Sequence, residues 1–147
     1  MATKPPTEPM STYATAALQV ITYKKLQNRI NVVLKQYNLN MTQWIILGRL
    51  REKKAGLRTT DLAKFIHVEV PLITMVSQPL QGRGLIDSSK SVSDKRAKLL
   101  KLTDLANELM DVVEKRLQQQ FKDIMKDVSS QEMATYFKVL QTMQRSP

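Results

Sequence analysis

The chain has 147 residues, enough for one domain with a sizeable core. Its formal net charge of +10 points to a polyanionic partner such as nucleic acid or an anionic lipid surface, and the absence of cysteine excludes disulfides, thiolate metal centres and cysteine redox sensing. No apolar run approaches the roughly 20 residues that span a bilayer, and the first residues lack a signal-peptide core, so a cytoplasmic protein with no membrane partner is expected.

Residues 1–10 read as a disordered arm, because Pro5, Pro6 and Pro9 discourage a helix. Residues 11–147 read as a single domain. From Ser11, Ala14, Leu18, Ile21, Leu26, Ile30, Val33 and Tyr37 recur at mostly three- to four-residue steps and trace one apolar stripe. Asn38 and Asn40 close this first helix. Thr42 is a suitable N-cap for a second, with Met41 and Ile46 as its staple and Trp44, Ile45, Leu47 and Leu50 as its buried face. Gly56 ends the following turn. Thr59 or Thr60 caps a short third helix that buries Leu62, Ala63 and Ile66, with Asp61 favourably placed in its first turn.

Pro71 suits the first turn of a fourth helix whose inner face is Ile73, Val76 and Leu80. Pro79 removes one helical hydrogen bond and is expected to kink this helix or end it early. Gly82 and Gly84 flank Arg83 and stop it. Leu85-Ile86 reads as a short strand, Ser88 to Ser93 as a polar turn, and Ala97 to Leu102 as the return strand. Thr103 caps a long fifth helix with the stripe Ala106, Leu109, Val113, Leu117, Phe121, Ile124 and Val128. Ser129-Ser130-Gln131-Glu132 is a capping-box pattern, and the last helix is expected to bury Met133, Phe137 and Leu140.

Two short helices, a Gly-x-Gly turn and a charged hairpin are the order of a winged helix-turn-helix, which sets one helix in a DNA major groove and a β-wing beside the phosphates. The charge agrees. Gly48 to Lys101 holds 12 Lys/Arg against 5 Asp/Glu, and the remainder 11 against 8. Nothing reads as an enzyme: there is no phosphate-binding glycine loop and no paired carboxylate–histidine arrangement. A single histidine and no Cys/His/carboxylate cluster argue against a metal site, and no cofactor is expected.

The whole ordering resembles the MarR (multiple antibiotic resistance regulator) family. The residues that carry the resemblance are Leu62-Ala63, Leu80 followed by Arg83-Gly84-Leu85-Ile86, Asp94-x-Arg96-Ala97, and Leu102-Thr103. It implies a mainly α fold with a small β-wing, in which residues 11–40 and 103–147 form dimerisation helices around a winged unit at 41–102. It also implies a homodimer reading a palindrome in double-stranded DNA. The sequence offers a compatible reason, since two long amphipathic helices flank a unit too small to cover both stripes. The alternative is that the terminal helices pack on each other in a monomer.

For DNA contact, Pro71, Leu72, Thr74, Met75 and Gln78 face outward on the fourth helix. Thr74 and Gln78 are suited to base edges or phosphates, and Leu72 and Met75 to thymine methyls. This helix departs from the family pattern, for the chain has no Lys or Arg from Phe65 to Gly82. The resemblance makes Arg96 the residue that enters the minor groove and Asp94 its brace; Lys90, Lys95 and Lys98 meet phosphates or the groove edge. Arg58 and Thr59 are placed to touch the backbone. Many relatives answer small aromatic or phenolic anions. The candidate wall here is Tyr23, Tyr37, Met41, Trp44 and His67, with Arg29 to pair with a carboxylate; the competing reading makes these aromatics core. The other functional readings are a winged-helix protein-interaction module and a non-specific DNA-architectural protein.

Overall fold

The computed structural model describes residues 11–90 and 97–147; the expected N-terminal arm and segment 91–96 lie outside them. The chain order is α1 (Thr12–Lys35), α2 (Met41–Glu52), β1 (Leu57–Arg58), α3 (Thr59–Ile66), α4 (Val70–Gly82), β2 (Ile86–Lys90), β3 (Lys98–Leu102), α5 (Asp104–Ile124) and α6 (Ser130–Arg145).

Local side chains fix most helix starts. Ser11 accepts from the Ala14 N–H at 3.1 Å, and Thr103 from the Ala106 N–H at 3.1 Å. Ser129 and Glu132 form a complete capping box, and the Ser129 N–H holds the Glu132 carboxyl below its ordinary pKa. α2 corrects the expected cap. Asn40, not Thr42, accepts from the Gln43 N–H at 2.8 Å, and the Gln43 side chain accepts from the Asn40 N–H at 3.1 Å. That reciprocal pair starts the helix one residue before Thr42. The inner face is accordingly Gln43, Ile46, Leu47 and Leu50, while Ile45 is exposed.

Three helices end in one way. The Leu39 N–H donates to the Leu34 carbonyl, Val68 to Ala63, and Leu85 to Leu80, at 2.9–3.0 Å. The residue before each donor, Asn38, His67 and Gly84, has positive φ. This is the Schellman stop, with an apolar residue packing after the left-handed one. It also explains why Pro79 does not shorten α4, against expectation. The helix continues to Gly82 because Leu80 is fully buried and the stop motif closes the last turn around it.

The sheet is antiparallel in the order β1-β3-β2. β1, only two residues long, was not expected; it pairs Leu57 with Leu100 and Arg58 with Leu99. β2 runs further than Leu85-Ile86, so Ser88 and Ser89 are not turn residues but pair with Leu100 and Leu99. Gly56, at the entry to β1, has φ +92°.

The core gathers Leu34 from α1, Ile46, Leu47 and Leu50 from α2, Leu62 from α3, Ile73 and Leu80 from α4, Leu100 from β3 and Val113 from α5. Each such side chain stabilises by about 1.5–3 kcal/mol. The N-terminal helix and the last helix fare differently. Leu18, Ile21 and Tyr23 of α1 are exposed, and α6 has no buried residue at all. The expected burial of Phe137 and Leu140 is therefore not found within one chain: they are 57% and 43% exposed, and Met133 is half-buried. The Gln19 amide donating to Met143 Sδ at 3.6 Å places α6 beside α1, but the apolar stripes of both remain uncovered.

Candidate nucleic-acid interface

α3, the turn at His67–Glu69 and α4 form the helix-turn-helix, and β2–β3 rise beside it as the wing. His67 serves this turn through its backbone. Its N–H reaches the Ala63 and Lys64 carbonyls in a left-handed conformation, and its side chain is exposed. The inner face of α4 is Ile73, Ser77 and Leu80, all buried. Val76, expected there, is half-buried. Pro71, Met75 and Gln78 are exposed on the opposite side, where the sequence pattern puts them; Leu72 and Thr74 are half-buried. The Thr74 hydroxyl donates to the Val70 carbonyl at 3.4 Å.

On the wing, Lys90 and Lys98 face each other across β2 and β3, both exposed. Two like charges held opposite one another are unfavourable alone and favourable against a polyanion. Asp94, Lys95 and Arg96 lie outside the described residues. Thr59 is a correction: it is the first residue of α3 rather than its cap, and it is buried, so its side chain offers no phosphate contact.

Arg58 precedes α3 and makes a two-pronged bond to Asp61, Nε to Oδ2 at 2.9 Å and a terminal nitrogen to Oδ1 at 3.2 Å. Hydrogen bonding by Arg58 holds the Asp61 carboxyl below its ordinary value of 3.8. A depressed carboxyl pKa stabilises the fold above the unfolded value and loses that contribution as pH falls through the folded one. Asp61→Asn is therefore expected to be less stable than the parent at neutral pH. The gap should narrow as the pH falls below about 4 and through the depressed folded value. Urea unfolding of both chains at pH 7 and pH 3 checks it; a gap undiminished at pH 3 contradicts the ion pair as its cause.

Arg83, part of the sequence motif, has a structural role that no local pattern announces. Its guanidinium donates to the Tyr37 carbonyl at 2.9 Å and the Asn38 carbonyl at 2.7 Å. It thereby joins the C-terminal end of α4 to the C-terminal end of α1.

The residues expected to wall an effector pocket are not brought together in one chain. Tyr23 is exposed on α1; Tyr37 and Met41 are half-buried near the α1–α2 junction. Arg29 lines a groove with Val32, Gln120 and Asp123, and His67 lines another with Thr60, Val68 and Val70. Trp44 lines a cleft of about 230 Å³ with Ile45, Arg49, Phe65, Met110 and Glu114. Sequence reasoning missed Arg49 and Phe65. The Arg49 guanidinium lies 4.2 Å above the Phe65 ring and bonds Glu52 at 2.8 Å. The one available signal was that Phe65 falls off the inward face set by Leu62, Ala63 and Ile66. Among the described residues no group of His, Asp and Glu is arranged to hold a metal, and no helix is long and apolar enough to cross a membrane.

Comparison with known proteins places the winged unit. Residues 39–98, which span α2 to the start of β3, match the family model described as MarR family. That segment carries a MarR-family domain. The members of that family are transcriptional regulators, not enzymes. Solved structures give the same fold. A MarR-family transcriptional regulator from Rhodococcus sp. RHA1 is 16% identical with a TM-score of 0.82, covering 92% of this chain and 96% of its own. A cysteine-to-serine mutant of MarR from E. coli, complexed with operator DNA, is 20% identical with a TM-score of 0.76, covering 87% and 91%. NadR in complex with 4-hydroxyphenylacetate is 22% identical with a TM-score of 0.77, covering 98% and 100%. At these identities the likeness establishes the fold.

Proposed function

We propose that two copies of this MarR-family chain pair through α1, α5 and α6 and together read a palindromic operator, blocking access to a promoter as a repressor. The observation that carries this is a division of surface. The winged unit buries its own core and presents exposed lysines on the wing, whereas α1 and α6 leave apolar stripes bare. Stripes of that kind call for a second surface. Two-fold pairing sets the reading helices about one DNA turn apart, near ~34 Å. The operator complex of the E. coli relative supports duplex DNA as the partner.

Segment 91–96 is assigned from the sequence. Arg96 enters the minor groove and Asp94 braces it, with Lys90, Lys95 and Lys98 on the phosphates. Arg96→Ala is expected to weaken operator binding by at least ~1 kcal/mol and to leave the dimer intact. Fluorescence anisotropy with labelled operator, paired with sedimentation, checks both. Parent-like affinity would remove Arg96 from the interface.

The effector is a small aromatic anion. The 4-hydroxyphenylacetate bound by NadR belongs to that class, and in this chain an arginine and two aromatic rings meet at the Trp44 cleft. Such a ligand shifts the population of dimers towards a spacing that fits the operator less well. The deciding experiment selects bound fragments from a random DNA pool at fixed salt, with and without phenolic acids. A regulator prefers one palindrome over random DNA by about 10³ or more. A flat selection would favour the non-specific architectural reading, and no retained DNA would favour the protein-interaction module.

A further inference from the structure

α4 carries an unusual outward face for a helix that enters a major groove. From Val70 to Gly82 it has no Lys, Arg, Asp or Glu. Of its exposed positions, Pro71, Met75 and Gln78 recur at helical spacing on one side, opposite the buried Ile73, Ser77 and Leu80, and Pro79 and Gly82 are exposed nearer its end. Met75 is the most exposed of the large apolar side chains on this helix, at 60%. The nearest cation beyond the helix, Arg83, is engaged by the Tyr37 and Asn38 carbonyls. The Thr74 hydroxyl is turned to the Val70 carbonyl.

These facts remove the usual agent for guanine. Bidentate bonding to guanine O6 and N7 needs Arg or Lys, and α4 has neither. What remains outward is an apolar thioether, the rings of Pro71 and Pro79, the half-buried Leu72 and the Gln78 amide. Apolar side chains in the major groove distinguish one feature, the thymine C5-methyl, and a glutamine amide pairs with adenine N6 and N7. An exposed methionine on a helix otherwise well packed is costly to leave in water. It is also adaptable enough to follow a methyl group.

We infer that α4 reads thymine methyls through Met75, seconded by Pro71 and Leu72, with Gln78 on an adjacent adenine, so that each operator half-site is A·T at the positions under α4. This rests on the DNA-reading function proposed above and names its substrate class. Discrimination then comes from apolar contact, and the wing cations supply sequence-independent affinity.

The test uses deoxyuridine, which pairs as thymidine does but lacks the methyl. The full chain is titrated with its selected operator, with the same operator carrying uracil for thymine in the half-sites, and with a control carrying uracil only outside them. Loss of one buried methyl costs about fourfold in affinity. One methyl in each half-site therefore gives roughly a fifteenfold loss for the half-site uracil duplex, and the control binds like the parent operator. Met75→Ala should weaken binding to the thymine operator and flatten the thymine-to-uracil ratio towards one. Because Met75 is exposed, this variant should fold as the parent does, which circular dichroism checks.

Three results overturn the inference while leaving the DNA-reading function standing. They are equal affinity for the thymine and uracil operators, a uracil penalty undiminished in both Met75→Ala and Leu72→Ala, and selected half-sites that are G·C under α4. A chain that binds no duplex at low salt overturns the proposed function itself, and this inference with it.

Discussion

Gly56→Ala is expected to destabilise the fold by about 2–5 kcal/mol, a large share of the 5–15 kcal/mol typical of a domain. Two costs combine. Gly56 sits at φ +92°, where an L side chain is strained, at about 1–2 kcal/mol. An added Cβ would also lie 2.8 Å from the Leu100 carbonyl oxygen and 2.7 Å from Lys101 Cγ. The lysine stem can swing away, but the carbonyl is fixed by the β1–β3 pairing of Leu57 with Leu100. Relief therefore requires β1 to move off β3, which loosens the wing at its root. The measurement is urea or thermal unfolding, with operator affinity alongside. A variant within 0.5 kcal/mol of the parent would mean that the turn is not held as described.

The second large effect concerns α6. Phe137→Glu combined with Leu140→Glu is expected to convert the proposed dimer to a monomer with unchanged helical content. Each apolar side chain covered in an interface contributes about 1.5–3 kcal/mol, and a two-fold assembly counts every substitution twice. About half of each side chain is already covered within the protomer, so the loss is about 3–6 kcal/mol, or more than a hundredfold in dissociation constant. Placing a charge in an apolar seam adds to it. Within one chain both residues are exposed, so the fold of the protomer gives up little. Sedimentation at micromolar concentration reads the outcome. A double variant that remains dimeric would take α6 out of the pairing surface.

What could be read in the residues alone followed how local the cause was. The caps at Thr103 and Ser129 and the stop at Gly84 lie within a few residues of what they control, and periodicity marks the inner stripes of α3 and α5. The start of α2 was misplaced by two residues because Asn40 and Thr42 are both competent caps, and only the Gln43 side chain decides between them. β1 has no period to detect at two residues. Propensity alone would let Pro79 end α4 early, and tertiary anchoring by Leu80 carries the helix on to Gly82. The stripe of α6 reads like core, yet periodicity cannot say whether its cover comes from the same chain.

The candidate interface divides in the same way. The outward set on α4 follows from the inward one, and Pro71, Met75 and Gln78 are exposed accordingly. The effector residues scatter over separate grooves because helical spacing assigns a face to each side chain and says nothing about which face it opposes. Arg49 and Phe65 meet across two helices, a contact that neither helix encodes alone.

Arg83 grips two consecutive carbonyls at the end of α1 from the end of α4, so those two helix ends are clamped directly and not only through the chain between them. A torque on the α1 shaft would be delivered straight to the tail of the α4 head. The clamp makes the head a crank on that shaft, and its angle is set at the hub.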